Sequence, residues 1–173
     1  MEKTLKWRMY GFVNYQLIGI QKGIQFTHVC VEYGQLVKGF TVEDVYNSWA
    51  NEDKTVILLN GGTTNDSKDN YGTLQKHRDL LVENKILLAE FREPDLNDAL
   101  TAICFLVSEE VWDKEIYPDF VRTPYPWSYN KKPSLKQKAD WEAEDSKNYE
   151  AWCDKIGKQN VFLREFLRDK RLA

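Results

Sequence analysis

The stretch Lys54-Thr55-Val56-Ile57-Leu58-Leu59, followed by Asn60-Gly61-Gly62-Thr63-Thr64-Asn65-Asp66, decides the fold class of this chain. A continuous apolar run of strand length predicts a strand that is buried on both faces. The glycine, asparagine and threonine residues after it predict a loop at the carboxyl end of that strand. Because a strand buried on both faces needs covering layers on each side, this segment indicates an α/β structure.

Similar patterns elsewhere predict the rest of the sheet and its helices. The four main strands are expected near residues 8–16, 55–60, 86–91 and 101–107. Apolar residues at helical spacing predict helices over about 21–36, 41–51 and 71–84. The fold class expected is therefore α/β, with a four-stranded mixed β-sheet, helices on both faces and a C-terminal helical extension.

Composition divides the chain into three parts. Residues 8–116 contain the alternating strands and helices and form one α/β domain. Residues 117–133 are rich in proline and aromatic residues, which excludes a regular element, and they form a connecting segment. Residues 134–173 are charged, carry apolar residues at helical spacing, and form the C-terminal helical extension.

Overall charge and composition exclude several classes of protein. The chain of 173 residues has 24 Lys+Arg against 27 Asp+Glu, so its net charge of −3 gives no general attraction to nucleic acid. Its hydrophobic content of 42% excludes a disordered chain. We expect no membrane partner and no secretory signal, since no apolar run approaches the roughly 18 residues of a membrane span and no small-residue cleavage site follows the N-terminus. The three cysteines are odd in number and widely spaced, which predicts a reducing, cytoplasmic location.

The aromatic content predicts self-association. Six Trp, nine Tyr and eight Phe are many for one domain, and several lie in the C-terminal extension, where a partner surface can bury them. We therefore expect a homodimer or a higher homo-oligomer.

The first candidate site is the beginning of the first helix. A helix N-terminus exposes unpaired N–H groups, which favour phosphate or carboxylate, and Lys22 would add a positive charge there. The neighbouring candidates are Gln21, Gln25 and His28. The alternative is structural, with Lys22 as a solvated lysine and His28 as a hydrogen-bonded helix residue.

The second candidate site is the polar segment between the third and fourth strands. Its three carboxylates can raise one another's pKa, bind a cation or contact ribose hydroxyls. The alternative is an acidic connector closed by a turn. The candidate residues of this segment are Arg92, Glu93, Asp95, Asn97, Asp98 and Thr101.

The third candidate, Asn60-Gly61-Gly62-Thr63-Thr64, resembles a phosphate loop superficially. It lacks the GK[ST] ending and the GxGxxG pattern, so a flexible lid or a plain turn is equally compatible with it. Asn60 and Thr63 are its candidate ligand-binding residues. No HxxxH spacing exists, and the sequence predicts neither a metal site nor a cofactor.

The motif Gly23-Ile24-Gln25-Phe26-Thr27-His28-Val29 resembles the A-A-Q-x-x-H-A helix of the type II (archaeal and eukaryotic) peptidyl-tRNA hydrolases. The strand over 55–59, the helix over 74–83 and the strand over 86–91 follow in the order of that family. The segment Glu93-Pro94-Asp95 with Thr101-Ala102-Ile103 is similar to a divergent subgroup of peptidyl-tRNA hydrolase-domain proteins. The resemblance covers residues 8–112 and leaves open a phage as the source.

The resemblance implies hydrolysis of the ester that joins a peptide to the terminal ribose of tRNA. It implies a catalytic set of Lys22, His28, Asp95 and Thr101. The chain departs from the family at two points. The family's lysine lies seven residues before the histidine, where this chain has Gln21, and Lys22 is rotated by about 100° from that position. The family's Asp-Ala-Gly-x-Thr loop is also absent.

Two other functions stay open. The same fold can serve a viral anti-defence protein that binds, sequesters or cleaves a nucleotide immune signal of the cyclic dinucleotide or ADP-ribose type. Tyr125, Trp127 or Tyr129 would then stack on a base, although packing is the somewhat more favoured role for any single one of them. The third possibility is a non-catalytic interaction module. We expect a nucleotide or tRNA-linked ligand, with Lys22 and Asp95 on opposite sides of one cleft if their strands are parallel neighbours.

Overall fold

The computed structural model describes residues 5–64, 66–67, 70–127 and 132–173. The strands are β1 (Trp7–Asn14), β2 (Val56–Gly62), β3 (Asp66–Ser67), β4 (Asn70–Tyr71), β5 (Ala89–Glu93) and β6 (Ala99–Ser108). The helices are α1 (Gly19–Val37), α2 (Glu43–Ser48), α3 (Thr73–Glu83), α4 (Glu109–Trp112), α5 (Leu135–Ile156) and α6 (Lys158–Leu167). A π-helical turn over Trp49–Asp53 follows α2, and a 3-10 turn over Pro94–Leu96 joins β5 to β6.

Four strands form one mixed sheet in the order β2-β1-β6-β5. Strand β1 is parallel to β2, and β6 is antiparallel to both β1 and β5. The α/β class and the four-stranded mixed sheet expected from the sequence are therefore confirmed. Strands β1 and β5 run in the same direction but are not neighbours, because β6 lies between them. Their carboxyl ends still lie at the same edge of the sheet.

Helices cover both faces of the sheet. On one face α1 packs over β5 and β6, with Phe26, Val29 and Tyr33 in a core that also contains Met9 and Val13 of β1. On the other face α3 and α6 contribute Leu74, Leu81 and Leu163 to a second core around Phe12, Ile103 and Phe105. The Phe26 ring of α1 lies directly over Gly11 of β1, where an added Cβ would be 2.1 Å from the ring.

The third strand begins later than the sequence pattern indicates. The predicted strand 86–91 is wrong in its first three residues, because β5 begins at Ala89. The cause is the end of α3: the backbone N–H of Ile86 bonds back to the carbonyl of Leu81 at 2.9 Å, and Lys85 has a positive φ of 59°. Residues 84–86 therefore close the end of α3, and residues 87–88 connect it to β5 without joining the sheet.

The C-terminal extension consists of two helices with different surroundings. The Ser134 hydroxyl accepts from the N–H of Gln137, which caps α5. The buried residues of α5 are only Asp145 and Ile156, whereas α6 packs on the sheet. After α6 the chain passes β2, where the N–H of Asn60 bonds to the carbonyl of Arg171 at 2.8 Å. None of the helices in the described ranges is long and apolar enough to cross a membrane.

Candidate functional site

Three polar side chains that the sequence predicted for the site meet at the carboxyl-end edge of β1 and β5. Gln25 of α1 donates from Nε2 to Oε2 of Glu93 at the end of β5, over 2.5 Å. The hydroxyl of Thr101 on β6 donates to Oε1 of the same Gln25, also over 2.5 Å. Gln25 and Thr101 are 7% and 1% exposed. We call this group the Gln25–Glu93–Thr101 cluster.

The position of Thr101 depends on an irregularity in the sheet. Phe91 pairs with Ala102 and Arg92 pairs with Leu100, so Thr101 is the extra residue of a β-bulge in β6. Bulges re-aim a side chain without breaking the strand. As a result Thr101 projects to the face covered by α1, where its hydroxyl also lies 3.2 Å from the Phe91 carbonyl oxygen.

The hydrogen bonds fix the orientation of the Gln25 amide. Because the Glu93 carboxylate can only accept a hydrogen bond, the amide NH₂ group must face it, and the amide oxygen is then left to accept from the Thr101 hydroxyl. Glu93 therefore accepts a hydrogen bond at Oε2, and within the part of the chain that the structure describes its Oε1 has no hydrogen-bond partner. A carboxylate held at one oxygen by a buried amide is a positioned acceptor that can bind a water, a hydroxyl or an ammonium group at its other oxygen.

The other candidates on α1 lie around this cluster. Lys22 is half-buried and three residues before Gln25, so it lies one turn nearer the helix N-terminus on the same face. Among the described residues its ammonium group has no ion-pair partner. Gln21 accepts from the backbone N–H of Ile18 at 3.3 Å and so completes the first turn of α1. His28 is exposed, with its ring edge-on to Phe91 at 4.6 Å between centroids.

A second hydrogen-bonded group lies beside the cluster and was not predicted as a pair. Asn14, at the end of β1, donates from Nδ2 to the Thr64 hydroxyl at 3.0 Å. The Thr64 hydroxyl in turn donates to the carbonyl of Leu100, the residue before Thr101. Asn14 is the polar residue that directly follows the apolar part of β1, and that position was the signal available in the sequence.

Arg92 lies on the opposite face of the sheet from Glu93. Its guanidinium contacts Glu90 at 3.3 Å and the Gln75 side chain of α3 at 3.4 Å. Glu90 also pairs with Arg78 of α3 at 2.7 Å. The structure therefore separates Arg92 from the Gln25–Glu93–Thr101 cluster and places it in an ion-pair network against α3.

The acidic segment after β5 forms a tight connection to β6. Asp95 is exposed in the 3-10 turn, and Asn97 and Asp98 follow with positive φ angles of 54° and 60°. The N–H of Asp98 bonds to the carbonyl of Glu93 at 3.1 Å, which closes the turn. The shared cleft of Lys22 and Asp95 stays a prediction, and Glu93 is the carboxylate that contacts α1.

The glycine-containing segment after Leu59 is partly strand. β2 continues through Gly62, so Asn60 and both glycines belong to the sheet rather than to a lid. The Asn60 side chain accepts from the N–H of Gly62 at 2.9 Å, and the N–H of Thr63 donates to the Thr73 hydroxyl at 3.2 Å. These contacts join the end of β2 to the first turn of α3.

The aromatic residues proposed to stack on a base contact each other. Tyr125 packs edge-on against Trp127 at 4.6 Å and against Trp141 of α5 at 5.3 Å. Tyr129 lies outside the described residues. Among those residues, no three His, Cys, Asp or Glu side chains converge in a way that could hold a metal ion.

His77 lies between Lys76 and Arg78, a pattern that predicts a surface position, and the structure contradicts that prediction. Its ring is half-buried between Phe12 at 4.9 Å and Phe166 at 5.6 Å. Burial, with a smaller contribution from the charge of Lys170, lowers the pKa of His77 to about 4. His77 is therefore a neutral core residue of the α3 face and takes no part in the candidate site.

No protein-family model matches this sequence, and a search of curated proteins gives no significant match.

Proposed function

We propose that this chain is a hydrolase of the type II peptidyl-tRNA hydrolase kind, which cleaves an ester between an acyl group and a ribose of tRNA or of a nucleotide. The observation that carries the proposal is the Gln25–Glu93–Thr101 cluster. Three separate elements bring an amide, a carboxylate and a hydroxyl together at the edge of the sheet where α1 begins. The element order and the resemblance around Gln25 support the same family.

Glu93 is the general base in this proposal. Its free oxygen takes a proton from a water molecule while the water oxygen attacks the ester carbonyl carbon. The bond to the ribose oxygen then breaks, and that oxygen receives the proton. Gln25 holds the carboxylate in place, and Thr101 holds Gln25. The ammonium group of Lys22 stabilises negative charge on the ribose-linked phosphate or on the carbonyl oxygen.

The test uses N-acetyl-phenylalanyl-tRNA and measures the release of N-acetylphenylalanine. We expect Glu93→Gln to lower the rate at least about 100-fold, because it removes the base but keeps an oxygen that accepts from Gln25. Glu83→Gln, on the exposed side of α3, is the matched control and should retain the wild-type rate. Release that is no faster with wild-type protein than with buffer contradicts hydrolysis of this substrate class.

Gln21 provides a second test, because it occupies the position of the family's lysine. Its side chain caps the first turn of α1 and supplies no positive charge. We expect Gln21→Lys to increase the rate of ester hydrolysis about tenfold or more, since it adds a cation one turn before Gln25. Gln21→Met, which adds no charge, is the control.

Gln21 also supports a second candidate function, which is binding without cleavage. A viral anti-defence protein that sequesters a cyclic dinucleotide or an ADP-ribose-type signal needs hydrogen-bonding groups but no catalytic lysine. In that case wild-type protein binds the nucleotide in calorimetry and returns it intact, and Gln21→Lys adds no turnover. A non-catalytic interaction module is expected to bind neither the nucleotides nor the tRNA ester.

We further propose a homo-oligomer in a reducing, cytoplasmic environment. Aromatic residues of the C-terminal extension pack mostly on aromatic residues elsewhere in the same chain, such as Phe12 and Phe120. The support for self-association therefore comes from α1, where Ile20, Ile24 and Val31 are 75%, 46% and 56% exposed. The described cysteines are all free thiols, which supports the location. Light scattering at micromolar concentration tests the assembly, and a monomer contradicts it.

A further inference from the structure

The last strand of the sheet extends beyond its edge neighbour. Pairing between β5 and β6 begins at Ala89, opposite Cys104, whereas β6 continues to Ser108. Residues 84–88 leave α3 without filling the remaining edge. The N–H of Ile86 bonds to Leu81, and the carbonyl of Lys85 accepts from Gln159 of α6 at 2.6 Å. Residues 105–108 of β6 are therefore paired with β1 on one side and are not paired with β5 on the other.

The pairing pattern shows which main-chain groups face this open edge. The N–H of Met9 bonds to the carbonyl of Thr55, and the N–H of Trp7 bonds to the Asp53 carboxylate, so both point away from β6. In an antiparallel pair the opposing residues then also point away from β1. Met9 is opposite Leu106 and Trp7 is opposite Ser108. The N–H groups of Leu106 and Ser108 therefore point to the edge that β5 does not reach.

A cleft of about 450 Å³ lies along this edge. Apolar side chains from both faces of the sheet line it, among them Val45 of α2, Leu87 before β5 and Leu163 of α6. Tyr33 also lines the cleft, and its hydroxyl lies against the backbone N–H of Leu106, so the N–H of Ser108 is the one of the two that is open to an added strand. Charges of both signs lie around the cleft, with Lys6 and Lys85 as cations and Glu109 and Glu110 as anions.

We propose that this cleft binds an extended peptide segment of another protein, which adds as a strand to β6. Addition of a strand takes its affinity from main-chain hydrogen bonds and its specificity from side-chain pockets. Leu106 to Ser108 spans about 7 Å, so the contact involves about three residues of the added strand. Apolar walls on both faces favour apolar residues in the centre, and the charges of both signs favour a basic and an acidic end.

The cleft is separate from the candidate hydrolase site. It lies where β1 begins and β6 ends, whereas the Gln25–Glu93–Thr101 cluster lies where β1 ends and β6 begins. An exposed strand edge also pairs readily with other chains, which proteins usually prevent by covering it. Peptide binding here consequently adds a partner to the protein and does not depend on the proposed ester hydrolysis.

The test uses the synthetic peptide acetyl-Lys-Val-Ile-Val-Glu-amide and the full chain, labelled with ¹⁵N. We expect peptide addition to shift the amide resonances of Leu106 and Ser108 and to slow hydrogen exchange of the Ser108 amide at least tenfold. The same peptide with its three central nitrogens methylated cannot make the strand hydrogen bonds, and it should bind at least about tenfold more weakly. Equal binding of the two peptides, or shifts confined to another surface, would overturn the proposal.

Two variants of Ser108 distinguish the contribution of its backbone N–H to peptide binding from that of its side-chain hydroxyl. Ser108 has a φ of −82°, which proline also adopts, so Ser108→Pro removes the N–H with little change of the backbone. Ser108→Ala removes only the hydroxyl, which lies 3.4 Å from Asn160. We expect Ser108→Ala to bind like wild type and Ser108→Pro to bind about tenfold more weakly.

Equal peptide affinity of a folded Ser108→Pro variant and of Ser108→Ala overturns the proposal. If Ser108→Pro does not fold, the comparison of the two peptides on wild-type protein decides the question. A Ser108 amide that is already protected without peptide, in a dimer detected by light scattering, also overturns it, because a second copy of the chain then occupies the edge.

Discussion

Gln25 on α1 and Glu93 on β5 are 68 residues apart in sequence and joined by a side-chain hydrogen bond of 2.5 Å. The bond fixes the first third of α1 against the end of an edge strand. Because Gln25 is 7% exposed, its amide must find partners within the protein, and Glu93 and Thr101 supply them. The same contacts that stabilise the packing of α1 therefore hold the carboxylate of the candidate site in one orientation.

Replacement of Thr101 by valine tests this coupling. The change keeps the shape of the side chain and leaves the buried amide oxygen of Gln25 without its donor, which costs about 1–3 kcal/mol in the free energy of unfolding. The Gln25 amide then keeps only its hydrogen bond to Glu93, so the carboxylate is held less firmly and ester hydrolysis or ligand binding should fall as well. Urea unfolding and the tRNA-ester assay measure the two effects.

Thr27→Val is the control for that substitution. Thr27 is exposed on α1, and its hydroxyl bonds to the carbonyl of Gly23 within the same helix. We expect a change of no more than about 0.5 kcal/mol. Equal losses of stability in the two variants would show that the hydrogen bond from Thr101 to Gln25 does not stabilise the fold more than an exposed threonine hydroxyl does.

The sequence was informative where a pattern depends on neighbouring residues. The apolar run over residues 56–59 predicts a buried strand because burial on both faces leaves no alternation, and the spacing around Gln25 places it on a helix near the sheet. Glu93 and Thr101 were candidates only as members of a polar segment. Their meeting with Gln25 depends on the β-bulge at Thr101, which follows from tertiary pairing and leaves no local signal.

Two interpretations failed for the same physical reason. Ile86, Leu87 and Leu88 have strand-like composition, but the backbone N–H of Ile86 bonds to the carbonyl of Leu81 at the end of α3. Apolar composition alone does not show whether such an N–H bonds to a helix end or to a neighbouring strand. His77 lies between charged neighbours along the chain, but on α3 its ring faces the sheet and contacts Phe12 of β1. In both places the structure depends on one particular contact, Ile86 with Leu81 and His77 with Phe12, which the composition of the segment does not indicate.

Alanine substitutions at Lys22 and Asp95 test the wider site. Neither side chain is buried, so each variant should change the melting temperature by no more than about 2 °C. If both residues contact one phosphate- and ribose-bearing ligand, each variant should weaken binding or turnover about tenfold. Lys38→Ala and Glu115→Ala, at exposed positions outside the candidate set, are the controls. Full activity of either test variant removes that residue from the site.

The half-buried His77 predicts a loss of stability in acid. Its pKa in the folded protein is about 4, whereas an unfolded chain has the ordinary value of 6.5. Between these values the unfolded state binds more protons, so the free energy of unfolding falls as the pH decreases from 6.5 toward 4. Solvent screening at a half-exposed site limits the effect to about 1–2 kcal/mol.

His77→Phe should remove that part of the pH dependence and keep the contacts with Phe12 and Phe166. The measurement is the urea midpoint at several pH values between 4 and 7, together with an NMR titration of the His77 ring in wild-type protein. Lys170→Gln should raise the pKa of His77 slightly, because Lys170 is the second cause of the shift. An unchanged slope in His77→Phe would assign the acid sensitivity to other groups.

Two glycines that look alike in sequence should respond in opposite directions to alanine. At Gly61 an added Cβ would lie 2.9 Å from the Val13 carbonyl oxygen and 2.7 Å from Leu74 Cδ1. Since the carbonyl belongs to β1, the sheet must shift, and Gly61→Ala should cost about 1–3 kcal/mol. At Gly23, inside α1, nothing lies within 4 Å of the added atom, so Gly23→Ala should stabilise the protein by about 0.5–1 kcal/mol. Thermal melting of both variants measures the difference, and a stable Gly61→Ala would mean that the end of β2 is the flexible loop its composition allows rather than a packed strand.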